Sequence, residues 1–195
     1  MFAAYVAAGA LGAGPSVAKR RRSLGPEVAR AHLAPAVEAA WAAIQVFVAV
    51  VTLACAVAPA TVLALPLLGL PAASAATLYA GTALFAAGAA TTGWAARSLG
   101  RHLTTAIEVR AGDELVTRGP YSRVRHPVYT GIFAMTGGLA LALFDPFAFG
   151  VFLMAIAIGN HRATKEEELL ARDTTHGQAY EAYRRRTGRF LVRLR

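Results

Sequence analysis

LVTRGPYSRVRHPVYTG, from Leu115 to Gly131, sets a Gly-Pro turn, Arg118, Arg123, Arg125, His126 and two tyrosines directly before an apolar run. Pro127 suits the first position of a helix, where its missing N–H would have no intrahelical partner. His126 would then stand at the amino end of that helix, where unpaired N–H groups and the helix dipole attract anions. With Arg123 and Arg125 flanking it, a carboxylate or phosphate is the natural guest. Taken alone, Arg125 has a plainer use as an anchor for lipid phosphate.

Outward from this junction the chain is mostly hydrocarbon. Of its 195 residues 56% are hydrophobic and only 16% charged, far from an ordinary soluble composition. No Asp, Glu, Lys, Arg or His occurs between Ala39 and Ala96, and Asp145 alone interrupts a second such stretch from Pro127 to Asn160. Membrane spans need roughly 17–25 apolar residues each. An Ala-rich soluble bundle would need a polar face on every helix, and these runs have none. The fold class expected is therefore all-α: a polytopic membrane protein of about five transmembrane helices in a single domain, 1–195.

The spans expected are Met1–Val17, Ala36–Ala58, Ser74–Ala96, Val128–Phe144 and Pro146–Asn160, the last two forming a helical hairpin over 128–160. Thr61 to Pro71 reads as a tight outer connection, and Ser23 to Pro35 as a basic linker. Trp41 reads as an interfacial anchor, while Gly81, Gly88 and Gly93 allow close helix approach. Lys19 to Arg22 follow the first apolar run, whereas a secretory signal carries its charges before it. Residues 18–35, 97–127 and 161–195 hold 5, 6 and 9 Lys or Arg, all 20 in the protein, and all five histidines. This positive-inside pattern puts the amino terminus outside and the carboxyl terminus in the cytoplasm. Topology and anionic head groups account for the net charge of +9, so no nucleic-acid partner is implied. The lone Cys55 has no partner for a disulfide or a Cys-metal site, and no His spacing suggests a metal.

The tail supplies the opposite charge. Arg162, Glu166, Glu167 and Glu168 continue the last membrane helix, with Arg162 and Glu166 spaced i,i+4 to pair along it. Tyr180 and Tyr183 share one face of a short amphipathic helix whose simplest role is packing on the membrane surface. The hairpin must bring this tail to the Arg125–His126 region. The residues alone thus define a membrane protein with a cytoplasmic pocket carrying both charges, and they name no reaction.

LVTRGPYSRVRHPVYTG, followed after the hairpin by RATKEEELL and QAYEAYRRRTG, resembles the isoprenylcysteine carboxyl methyltransferase family, within the broader group that includes phospholipid N-methyltransferases. The resemblance covers about 97–188, with 1–96 as accessory spans. It implies S-adenosyl-L-methionine-dependent methyl transfer at the cytoplasmic face of a membrane, with S-adenosylhomocysteine as product. Carried over by residue, it implies that Leu115, Val116, Gly119 and Tyr121 line the cofactor. Arg125, His126, Pro127 and Tyr129 form the box that positions it, and Glu167 takes its ribose hydroxyls or ammonium. Arg162 and Glu166 are the catalytic candidates, Arg162 orienting an acceptor carboxylate. Tyr180 and Tyr183 match the family's terminal tyrosine pair. The tail departs from the pattern: Thr174, Thr175 and His176 stand where an aromatic residue precedes the glycine, and the stretch from Leu170 to Gly177 is about two residues longer than is usual in the family.

The Ala, Arg and Gly bias suits a bacterial cytoplasmic membrane, where a small lipid or isoprenoid acid is a better acceptor than a prenylated protein. The lipid bilayer and a lipophilic small molecule are the partners expected. Two other readings fit parts of the pattern. Sterol and enone reductases carry a similar Arg-His-Pro-x-Tyr region with NADPH but are longer, and a non-catalytic scaffold could hold lipid head groups on the same basic face.

Overall fold

The computed structural model describes residues 27–57, 74–102, 107–110, 114–172 and 177–193. Its helices fall where the sequence supplies a cap or a breaker. α1 (Pro35–Val57) opens on a proline. α2 (Ala75–Leu99) is capped by Ser74, whose hydroxyl accepts a hydrogen bond from Thr77 N at 3.2 Å. α3 (Pro127–Leu143) and α4 (Pro146–Arg172) each begin on a proline, and α5 (Gly177–Arg186) carries the tail. Between α3 and α4, Phe144 takes a left-handed φ of 50°, and the buried Asp145 caps α4 by accepting from Phe147 N at 2.9 Å and Ala148 N at 3.3 Å. The hairpin thus forms as expected, and α4 runs unbroken from the apolar stretch into the charged one.

Two glycine pairs set how the helices pack. α2 and α3 run antiparallel with Gly81 facing Gly138 and Ala142, and Gly88 facing Gly131 and Met135. A Cβ at Gly81 would lie 2.5 Å from Ala142 N, and one at Gly138 would lie 2.5 Å from Phe85 N. Each pair is seven residues, or about two turns, from the next, so one face of each helix repeats the contact. Gly93 is not part of this seam; a Cβ there would meet only Arg97 Nη1, at 3.7 Å. The seam brings the carboxyl end of α2 and the amino end of α3 to the same end of the molecule. α4 returns there, and α1 starts there.

α1 lies against α3 and α4 through Trp41 and Ile44, which pack with Tyr129, Ile132, Ala155 and Ala163, and further along through Val48 with Met135 and Leu139. Trp41 is 8% exposed and meets the Tyr129 ring edge-on at 5.4 Å, so it is a core residue rather than an interfacial anchor.

Helices carry the fold, but the all-α expectation omits a two-stranded ribbon. β1 (Glu27–Ala31) pairs antiparallel with β2 (Ile107–Arg110), Ala31 opposite Ile107. Ile107-Glu108-Val109-Arg110 alternates apolar and polar residues, which suits a strand, yet four residues are too few to stand out in a polar connection. The ribbon rests on α4, with Ile107 buried.

Among the described residues two helices are long and apolar enough to cross a membrane, Pro35–Ala54 within α1 and α4; α3 is shorter at 17 residues. The expected first span, the outer connection 61–71 and residues 173–176 lie outside the described residues, as does the Cys55 side chain.

The seam makes a stability prediction. Gly138→Ala forces backbone apart and should destabilise by about 1–3 kcal/mol, lowering the thermal midpoint in detergent by several degrees. Gly150→Ala, where a Cβ would meet nothing within 4 Å, should leave the midpoint unchanged or raised. Equal midpoints for the two variants would show that the seam is not so tight.

Candidate functional site

The Gly-Pro turn does local work first. Gly119 adopts a φ of 61° that favours glycine, and a Cβ there would come 2.5 Å from Ser98 Oγ, so the turn is pressed onto the end of α2. A 3₁₀ turn over Gly119–Ser122 follows, closed by Ser122 Oγ donating to Gly119 O at 2.7 Å. Pro120 and Tyr121 are buried in it. This turn aims Arg125 and His126 across the end of the hairpin, and Pro127 then starts α3.

The tail closes over them. Val124 and Gly188 form a parallel bridge; Arg125 N donates to Gly188 O at 2.9 Å and His126 N to Arg189 O at 3.0 Å. Thr130 Oγ1 donates to Phe190 O at 2.8 Å, and Arg125 Nη1 donates to Thr187 O at 2.6 Å. Tyr183 is buried, its hydroxyl donating to Tyr121 O at 2.6 Å. Tyr180 is 2% exposed. Both tyrosines therefore pack inside the protein, not on a membrane surface.

One charged chain links these elements. Glu167 Oε1 accepts from Arg125 Nε at 2.9 Å and contacts His126 Nε2 at 3.1 Å. Arg189 Nε stands 3.3 Å from the same oxygen, close enough for an ion pair but poorly aligned for a hydrogen bond. On its other side, His126 Nδ1 lies 3.5 Å from Glu166 Oε2. Glu166 accepts from the Tyr129 hydroxyl, which in turn accepts from Arg162 Nε at 3.3 Å. Arg162 Nη1 ends the chain on Glu38, in the first turn of α1. Arg162 is 3% exposed, and its guanidinium stacks 5.7 Å from the Trp41 ring centroid. Arg162 reaches Glu166 through the Tyr129 hydroxyl, a bridge that the i,i+4 spacing does not show.

Burial would lower the His126 imidazole, but the hydrogen bonds and charges of Glu166 and Glu167 outweigh it and raise it above 6.5. Burial would likewise raise the Glu167 carboxyl, yet His126 and Arg125 hold it at about 2. His126 therefore adds stability that is complete below pH 6.5 and lost as pH rises through its folded value. Glu167 adds stability that is complete above 4.5 and lost as pH falls towards 2. Burial pushes the Tyr180 and Tyr183 hydroxyls up, Tyr183 to about 12, so both remain protonated donors.

Of the residues singled out in the sequence, the fold brings Arg125, His126, Pro127, Tyr129, Arg162, Glu166 and Glu167 to one place. Tyr121 enters through its carbonyl. Gly119 sits on the flank against Ser98 and Trp94, and half-buried Leu115 and Val116 lead into that turn, outside the hydrogen-bond network. Sequence reasoning missed Glu38, Arg189 and Phe190. Glu38 carries one signal, as the last acid before the charge-free run. Arg189 and Phe190 carry none, because their backbone and ring contacts come from the tail's path.

These features define a helical protein with two helices of membrane-crossing length and a buried charged cluster at one end of a helical hairpin. Residues 81–172 match the model of the isoprenylcysteine carboxyl methyltransferase (ICMT) family, so this stretch of the chain is ICMT-like. The matched stretch holds the whole box and both glutamates; Glu38 and the tail from Gly177 lie beyond it. The chain is also 36% identical over 95 residues to the nickel-cobalt-cadmium resistance protein NccN of Alcaligenes xylosoxydans xylosoxydans. That likeness covers 45% of this chain and 40% of that protein. Among the described residues no group of three or more His, Cys, Asp and Glu is disposed around a metal position.

A nuclear magnetic resonance titration of labelled histidines tests the pairing. The His126 midpoint should lie above 6.5, and Glu167→Gln should lower it by removing one of its two carboxylate partners. A wild-type midpoint below 6.5 would mean that the pair does not form.

Proposed function

We propose that the chain transfers a methyl group from S-adenosyl-L-methionine to a lipophilic acceptor at the cytoplasmic face of a membrane. The observation that carries this reading is the convergence of the Arg125–Tyr129 box and the Glu166–Glu167 pair, both within the family-matched stretch, in one buried cluster.

The donor set fits the cofactor. Arg125, His126 and Arg189 offer cationic donors for its carboxylate, and Glu166 and Glu167 offer acceptors for its ammonium and ribose hydroxyls. The Tyr180 hydroxyl and Arg189 Nε are buried without an aligned partner, a costly state that an acceptor oxygen on a guest would relieve. Gly119, Leu115, Val116 and Tyr121 would line its flank. When bound, the cofactor supplies an electrophilic methyl group on a sulfonium, leaving S-adenosylhomocysteine. The protein's part is alignment and exclusion of water. Arg162 would orient the acceptor, with Glu166 holding Tyr129 and His126 in register. A carboxylate acceptor of an isoprenoid or other small lipid needs no general base.

The membrane setting rests on the family and on outward-facing hydrocarbon. Val46, Val50 and Leu53 on α1, and Leu153, Met154 and Ile156 on α4, are exposed. A soluble helix would present polar groups there. In the five-span topology the cluster lies on the side that carries all the basic residues, with the amino terminus outside and the carboxyl terminus cytoplasmic.

Calorimetric titration of S-adenosylhomocysteine, and separately NADPH, into the detergent-purified full chain tests the reading. The first ligand alone should bind. His126→Ala and Glu167→Ala should each weaken it about tenfold or more, the size expected for a hydrogen bond to a charged group. Binding of NADPH instead would point to a reductase, and binding of neither would overturn the enzyme reading.

A further inference from the structure

The Arg162 end of the cluster holds an asymmetric ion pair. Arg162 is 3% exposed, whereas its partner Glu38 is 45% exposed. The guanidinium is held by the Tyr129 hydroxyl at its Nε, the Trp41 ring beneath it and the α4 backbone that carries it, among others. A buried guanidinium is tolerated only with counter-charge close by, and at Nη1 Glu38 supplies it. Among the described residues Glu38 is held by Arg162 and by its place in the first turn of α1, and its half-exposed side chain has solvent to turn into. Which carboxylate sits on Arg162 Nη1 is therefore exchangeable.

The surface around Glu38 indicates what would exchange with it. Glu38, Ala42, Val46, Val50 and Leu53 follow one another at spacings of three and four, so they share one face of α1. Val46, Val50 and Leu53 are exposed. This stripe runs for about 22 Å at 1.5 Å per residue, long enough for an extended hydrocarbon tail, and it ends at the Glu38–Arg162 pair. A molecule with a long apolar tail and a carboxylate head matches both features.

We infer that Glu38 is an internal stand-in for the head group of a long-chain carboxylic acid. It occupies Arg162 in the free protein, gives way when such an acid lies along α1, and so sets the site's affinity for acids. As an account of acceptor selection this rests on the methyltransferase reading; as an account of acid binding it does not.

The test measures equilibrium binding of radiolabelled palmitate, with hexadecanol as the uncharged control, to the full chain in detergent. Glu38→Gln keeps the shape but removes the competing charge, and should tighten palmitate about tenfold, the order of one charged hydrogen bond, without tightening hexadecanol. Adding Arg162→Gln should abolish that gain. Should Glu38→Gln unfold without ligand, palmitate should raise its thermal midpoint more than hexadecanol does. Glu38→Asp, with the charge but a shorter reach, should give a smaller gain in the same direction. No gain for palmitate, an equal gain for hexadecanol, or a gain that survives loss of Arg162 would each overturn the inference. S-adenosylhomocysteine titrated into the wild-type chain in parallel keeps a failure of the methyltransferase reading separate from a failure of this one.

Discussion

A single carboxylate, that of Glu167, ties together three separate stretches of the chain. It reaches Arg125 and His126 before α3 and Arg189 in the tail, while its own backbone belongs to α4. Its side chain is 13% exposed, and a carboxylate this far from water is tolerated only with paired, hydrogen-bonded cations. The converse holds for Arg125 and His126. Each group therefore requires the others, and the tail must lie across the box for the set to be complete. The backbone bonds from Arg125 and His126 to Gly188 and Arg189 complete the same closure without side chains.

That closure depends on geometry set at a distance. The glycine seam between α2 and α3 lets two backbones touch, which fixes where α3 begins relative to the end of α2. Without side chains between them the helices have little freedom to slide, since any shift moves a Cα into a neighbouring carbonyl. The Gly119 turn is pressed between the Ser98 end of α2 and the box for the same reason. Packing of this kind does not require water to drive it, which suits helices whose outer faces are hydrocarbon.

How much of this was legible in the sequence depends on the range of the interaction. Helix positions and the hairpin follow from charge-free runs bounded by prolines, a local signal, and all of α1 to α4 could be read there. The meeting of the Arg125–His126 region with the glutamates follows from the hairpin by topology alone. The partners within the cluster could not be read, because spacing pairs Arg162 with Glu166, whereas the fold inserts the Tyr129 hydroxyl between them. Glu38 lies 124 residues from Arg162, and no helical period connects them. Trp41 was misplaced for a related reason. An aromatic ring at a span's start suits a membrane interface equally well as a protein core, and only α4's guanidinium decides between them.

The cluster is a site whose charged groups are already paired, which limits how anything can bind to it. Glu38, Glu166 and Glu167 face Arg125, Arg162, Arg189 and His126, and each carboxylate has at least one basic group within 3.5 Å. At the buried Glu167 end, away from half-exposed Glu38, a guest of one sign would have to break a buried pair and leave its partner unpaired, at a cost that single contacts do not recover. A guest carrying both signs can exchange partners instead, its anion taking the cations as its cation takes the carboxylates. That condition favours a zwitterion with hydroxyl groups over a simple phosphate. The Tyr180 hydroxyl and Arg189 Nε, which lack an aligned hydrogen-bond acceptor, lie beside this network. Affinity at such a site is a difference between two sets of pairs, and the donors without an aligned acceptor are where a guest would gain most.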